Sequence, residues 1–66
     1  MRSNIEAERS RNHFTKAQLA EKIGVSRSTY YSYLNGGNIP SDKLLFLADL
    51  FCVPIEYLLH DDGKAG

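Results

Sequence analysis

Between residues 15 and 36 the apolar positions repeat with helical spacing, and one glycine breaks the pattern. Leu19, Ala20 and Ile23 fall at i, i+1 and i+4, which is one face of a helix over residues 15–23. Thr15 offers a hydroxyl to the free amides at its start, and Gln18 stands where a capping-box partner would. Gly24 follows directly and can turn left-handed without a Cβ clash, so the helix is expected to stop there. Ser26 offers a second cap two residues later. The helix it starts runs from Arg27 to about Leu34, with Tyr30, Tyr33 and Leu34 facing inward. Asn35, Gly36, Gly37 and Asn38 end it.

Outside this stretch the same periodicity predicts three more helices. Residues 3–13 read as one, capped by Ser3 or Asn4, with Glu6 near the positive end of the helix dipole. Its apolar anchors are Ile5, Ala7 and Phe14, and Asn12-His13 marks its end. Ser41 is expected to cap a fourth helix, with Asp42 in its first turn. Leu44, Leu45, Leu47, Ala48, Leu50 and Phe51 make that helix apolar over much of its surface, so it should be the most buried element. Pro54 opens a short fifth helix, tolerated where the first amides lack partners. Ile55, Tyr57, Leu58 and Leu59 supply its apolar surface. The sum is an all-α chain of five helices: one compact domain over residues 1–60 and a flexible C-terminal tail over residues 61–66.

Two helices joined by a short glycine-containing turn, with small Ala20 where they meet, make a helix-turn-helix. The motif resembles the lambda-repressor-like helix-turn-helix family, the Cro and XRE kind. Thr15, Leu19-Ala20, Gly24-Val25-Ser26 and Asn35-Gly36 carry the resemblance, followed by Leu47-Ala48, Val53-Pro54-Ile55 and Leu58-Leu59. It covers about residues 4–59 and implies a compact five-helix DNA-binding domain. Two departures stand out. In many relatives the arginine matching Arg9 pairs with a glutamate on the recognition helix, and that position here is Leu34. Arg9 is left to find Glu6, Glu8 or solvent, at little net cost, because an apolar replacement for a buried ion pair is often neutral. Cys52 lies where relatives carry glycine at a helix end, which disfavours or strains a left-handed cap. Its side chain reads as a small buried hydrophobe.

Sixty-six residues allow a single domain with a marginal core. One cysteine permits no internal disulfide, which fits a reducing cytoplasm. No apolar run approaches the roughly 18 to 20 residues of a membrane span. The polar start of the chain argues against a secretion signal. Formal net charge is zero but unevenly spread. Residues 1–43 hold seven basic side chains (Arg2, Arg9, Arg11, Lys16, Lys22, Arg27, Lys43) against four acidic ones (Glu6, Glu8, Glu21, Asp42), giving +3. Residues 44–66 hold Lys64 against Asp49, Glu56, Asp61 and Asp62, giving −3. Affinity for nucleic acid follows local phosphate neutralisation, not total charge.

A helix fits the major groove of B-DNA, where base edges carry a readable donor and acceptor pattern. In a helix-turn-helix the second helix enters by its N-terminal residues. Its outward positions are Arg27, Ser28, Thr29, Tyr31 and Ser32. By the resemblance, Arg27, Ser28, Tyr31 and Ser32 occupy the base-contact positions. Glutamine is common at the first two in the family, so arginine and serine imply a different site sequence. Phosphate contacts are expected from Lys16 at the positive end of the second helix, with Thr15. Asn35 and the amides of Gly36, Gly37 and Asn38, with Lys43, form an opposite clamp, and Arg11 is within reach from the first helix. Tyr30 and Tyr33 read as core, not as a stacking platform. His13 and His60 read as solvated, not as a metal pair. Ser26 is a cap without a nucleophile's partners, and Asp61-Asp62 is solvated. No acid–base pair, metal set or phosphate loop marks an enzyme, and no cofactor, small-molecule ligand or membrane is expected.

The expectation is therefore a sequence-specific regulator of bacterial or phage type, a repressor by occupancy, acting in the cytoplasm on double-stranded DNA. Dimerisation would use the C-terminal apolar edge of Phe51, Val53, Ile55, Tyr57 and Leu58, as the family also suggests, and the operator would be pseudo-palindromic. The alternative is an interaction module that binds a protein such as a repressor or toxin. Zero net charge and the apolar edge lean that way.

Overall fold

The computed structural model describes residues 1–60, so the expected tail at 61–66 lies outside the described residues. Five helices follow one another: α1 (Ser3–Arg11), α2 (Lys16–Ile23), α3 (Arg27–Leu34), α4 (Ser41–Phe51) and α5 (Ile55–Leu59). Each contributes one side chain with no solvent exposure: Ile5, Leu19, Tyr30, Leu47 and Leu58. These meet in one cluster, closed by Ala20, Ile23, Tyr33, Leu34, Ile39 and Phe51. Packing is pairwise: α2 on α3, α1 against α3 and α5, and α4 against α2 and α5.

The central motif forms as its local signals predict. Thr15 caps α2, and Thr15 and Gln18 close the capping box in both directions. Gly24 takes φ 88° and donates to the Ala20 carbonyl at 2.9 Å, while Val25 donates to the same oxygen at 3.0 Å. That reversal leaves Gly24, Val25 and Ser26 as the turn. Ser26 then accepts from the Thr29 amide and starts α3.

Elsewhere the ends and faces depart from expectation. Neither Ser3 nor Asn4 caps α1: Arg2 holds the N-cap position, with no side-chain cap. The Asn4 amide is committed to the Tyr57 carbonyl at 2.8 Å instead. Helix α1 stops at Arg11, and the chain reverses through His13 at φ 61°. Ala7 is exposed, because the inward face is set by Ile5 and Glu8, one turn apart. Pro40, not Ser41, is the N-cap of α4, and its carbonyl accepts the Leu44 amide at 2.9 Å. Pro54 likewise stands just before α5.

Nor is α4 the most buried element. Of its residues only Leu47 and Phe51 are buried, while Leu45 is 58% and Phe46 40% exposed. A helix packed chiefly on α2 and α5 covers only part of its girth, so apolar side chains on the far side stay in water. Cys52 is exposed, not a buried hydrophobe. It adopts the left-handed conformation (φ 57°, ψ 47°) that ends α4, with the Val53 amide donating to Ala48 at 3.0 Å. The residue that reverses the chain at a helix end points its Cβ outward, whatever its polarity.

A non-glycine residue in that conformation is strained. Cys52→Gly is expected to stabilise the fold by about 1 kcal/mol, read as a higher urea midpoint with an unchanged slope.

Candidate nucleic-acid interface

The outer face of α3 follows from what its inner face buries. Tyr30, Tyr33 and Leu34 are buried in the core, which turns Arg27, Ser28, Tyr31 and Ser32 to solvent. Thr29 is only half-buried and bonds back to its cap, with Ser26 Oγ 3.1 Å from Thr29 Oγ1. The four expected base-contact residues thus share one exposed surface, and the fifth outward position is turned to the helix start.

Tyr30 is fixed by more than apolar contact. Its hydroxyl donates to Glu6 of α1 at 2.5 Å. Arg9 holds the same carboxylate in a two-pronged contact, Nε at 3.1 Å and Nη2 at 3.0 Å, and donates through Nη1 to the Phe14 carbonyl at 2.6 Å. Of the three options open to Arg9, the fold selects Glu6, while Leu34 fills the core. Burial pushes the Glu6 carboxyl up. The hydrogen bonds from Arg9 and Tyr30, with the charges of Arg9 and Lys16, outweigh that and hold it below the usual carboxylate range. Burial, then the bond to Glu6 and its charge, push the Tyr30 phenol well above its ordinary value, so it remains a donor.

Lys16 begins α2 beside this group. Its Nζ lies 3.9 Å from Glu6 Oε1 and 5.6 Å from the centre of the Tyr31 ring. It therefore links the start of α2 to the outer face of α3 by a cation–π contact. Thr15 accepts from the Gln18 amide at 3.0 Å and keeps its own hydroxyl hydrogen to donate outward. Both are exposed, as a phosphate contact requires.

The opposite clamp is smaller than expected. Asn35, Gly36 and Asn38 are exposed after α3. The Gly37 amide, however, is spent on the Ser32 carbonyl at 2.7 Å and has nothing to offer a phosphate. Lys43 does not join the loop either. Its ammonium donates to the Ile23 carbonyl at 3.1 Å and closes the C-terminus of α2. Arg11 pairs with Glu8 at 2.6 Å while remaining 68% exposed.

At the C-terminal edge, Phe51 and Leu58 are core residues, so neither can form a surface contact with another chain. Val53, Ile55 and Tyr57 are half-buried, and the Tyr57 hydroxyl donates to Glu8 at 2.9 Å. A small core consumes the side chains that closed the amphipathic pattern. The apolar surface left exposed is on Leu45, Phe46 and Leu59.

Two roles had no local signal in the sequence. Glu8 is nearly fully buried, between Arg11 and Tyr57. Arg2, one of eight basic side chains in the sequence, donates to the carbonyls that end α3. Among the described residues, no three His, Cys, Asp or Glu side chains stand together as metal ligands. No helix among the described residues is long and apolar enough to cross a membrane.

A family model described as Helix-turn-helix matches residues 5–58, and the chain belongs to that family, of the Cro-like kind its motif resembles. It is similar to an uncharacterized HTH-type transcriptional regulator of Bacillus subtilis, YobD, with 42% identity over 52 residues. That match takes in 77% of this chain and 46% of the relative, so the chain spans about half the Bacillus protein's length. It is also similar to an uncharacterized HTH-type transcriptional regulator of Methanocaldococcus jannaschii, MJ0272, with 37% identity over 65 residues. Here 94% of this chain and 98% of the relative are covered. No solved structure gives a significant match.

The depressed Glu6 carboxyl links α1 and α3 to pH. Its contribution is complete above the unfolded value of about 4.3 and is lost as pH falls through the lower folded value. Glu6→Gln lacks that contribution. Wild type should be the more stable near neutrality, and the two urea midpoints should converge as pH is lowered below about 4.

Proposed function

We propose that this chain is the double-stranded DNA-binding module of a transcription regulator, a repressor of bacterial or phage type that acts by occupying its operator. One observation carries the reading: α3 buries its tyrosine face while Arg27, Ser28, Tyr31 and Ser32 stand together in solvent. Seated in the major groove, Arg27 at the first helical position donates two hydrogen bonds to guanine O6 and N7. Ser28 and Ser32 donate or accept at neighbouring base edges, and Tyr31 meets a thymine methyl or a phosphate. Thr15 and Lys16 grip one phosphate at the start of α2. Asn35 and Asn38 grip another beyond α3. The Gly37 amide is already bonded to the Ser32 carbonyl, while Lys43 gives one of its three donors to the Ile23 carbonyl.

The module works as a homodimer on a pseudo-palindrome, with recognition helices about 34 Å apart. Its contact edge is Val53, Ile55 and Tyr57, joined by exposed Leu59. It acts in the cytoplasm, without a small-molecule ligand or cofactor. Both relatives' names as transcriptional regulators support the reading.

A protein-interaction module is the second reading. Asp42, Leu45, Phe46 and Asp49 fall at i, i+3, i+4 and i+7 of α4 and are all exposed, an apolar pair between two carboxylates. That stripe suits a partner more than it suits a phosphate backbone.

Salt separates the two readings. Duplex affinity should fall linearly in a log–log plot, by a slope of about −0.9 for each phosphate neutralised, whereas an apolar contact barely responds. Selection from a random duplex library that enriches nothing at low salt would remove the DNA reading. Arg27→Ala should relax the preference at one base pair per half-site, by about 1–3 kcal/mol. An unchanged site logo refutes the role given to Arg27.

A further inference from the structure

Helix α3 ends in four carbonyls, those of Tyr31, Ser32, Tyr33 and Leu34, that its own ladder cannot satisfy. Groups just beyond the helix answer two. The Asn35 amide and side chain serve Tyr31, each at 3.0 Å, and the Asn35 and Gly37 amides serve Ser32 at 3.1 and 2.7 Å. The other two are answered from the far end of the chain. The Arg2 amide donates to Leu34 at 2.7 Å, and Arg2 Nη1 donates to Tyr33 at 2.7 Å. The same Nη1 also donates to the Gly37 carbonyl at 2.7 Å.

One cation thus bridges the last turn of α3 and the loop that follows, at the negative end of the helix dipole. The loop has no slack against the helix: a Cβ at Gly37 would lie 2.8 Å from the Ser32 carbonyl oxygen. Arg2 Nε is buried without a hydrogen-bond partner. The guanidinium is therefore held where the two carbonyls are, not where its own donors would all be satisfied. Asn35 and Asn38 stand exposed on either side of Gly36 and the bridged Gly37.

We infer that Arg2 is a positioning residue for the recognition surface. It fixes the loop of residues 36–38 against α3, so that Asn35 and Asn38 meet a DNA phosphate in a set register with Arg27. The inference rests on the DNA reading above. Arg2 touches no base and acts only through the Tyr33 and Gly37 carbonyls.

Amide hydrogen exchange of the free protein tests the bridge, and binding to the duplex that wild type enriches from a random library tests its purpose. Arg2→Ala should speed exchange of the Asn35 and Gly37 amides about tenfold, with the α2 amides unmoved. It should weaken the enriched duplex roughly tenfold while leaving the base preference set by Arg27 intact. Arg2→Lys, whose ammonium can donate to both carbonyls, recovers most of each loss. Arg2→Gln keeps a shorter neutral donor, and gives the same pattern at smaller size should Arg2→Ala not fold. Unchanged exchange, or exchange faster in every helix alike, overturns the inference. Local loosening with unaltered duplex affinity overturns it too. If wild type enriches no duplex, the DNA reading fails and Arg2's role in it falls as well, while exchange still reports whether the bridge exists.

Discussion

Glu6 and Glu8 stand two residues apart on α1 and bind in different directions. Glu6 takes the hydroxyl of Tyr30 from α3, and Glu8 takes the hydroxyl of Tyr57 from α5. Helix α1 buries a single apolar side chain, Ile5, so hydrophobic contact alone gives it a weak hold on the rest. The two tyrosine bonds supply the missing direction. Each carboxylate is also matched by an arginine of its own helix, Arg9 for Glu6 and Arg11 for Glu8. Glu8 is nearly fully buried, and a charge taken out of water is tolerated only with partners of this kind. The orientation of α3 therefore depends on a carboxylate two helices earlier in the chain, where the family resemblance implies an ion pair made directly with that helix.

The ends of the helices are tied by the same economy of long side chains. Lys43 of α4 closes α2 at Ile23, Arg2 closes α3 at Tyr33, and Asn4 of α1 closes α5 at Tyr57. Short helices leave a large fraction of their carbonyls unpaired, since four remain at each C-terminus whatever the length. In a chain of five such helices, closing those ends does a second job: each closure ties together two elements that also pack on each other. Lys43, which the sequence marks as a phosphate ligand, gives one of its three donors to such a cap.

The charge distribution reads differently once folded. Neutral overall, the chain withdraws Arg2, Arg9 and Lys43 into internal bonds. Lys16 and Arg27 remain exposed on the proposed reading side, with Lys16 steadied by Glu6 and by the Tyr31 ring. With Arg11 and Lys22 also exposed, the outward positive charge lies on α1, α2 and α3. The acidic, partly apolar outer stripe of α4 adds nothing to it.

The number and order of the helices, the turn at Gly24, the caps at Thr15 and Ser26, and the faces of α2 and α3 were all legible in the sequence. Each is a relation between residues within about four positions of one another, where backbone geometry leaves little choice. So was the shared surface of Arg27, Ser28, Tyr31 and Ser32, because the inner spacing of Tyr30, Tyr33 and Leu34 leaves the outer one no alternative. Tertiary structure decided what lies across long separations: Arg2 with Tyr33 at 31 residues, Tyr57 with Glu8 at 49, Asn4 with Tyr57 at 53. It also left Leu45 and Phe46 in water, moved Phe51 and Leu58 from edge to core, and turned Cys52 outward. Periodicity states that a helix has an apolar side. How much of that side is covered depends on how many neighbours reach it, and that count exists only once the chain has packed.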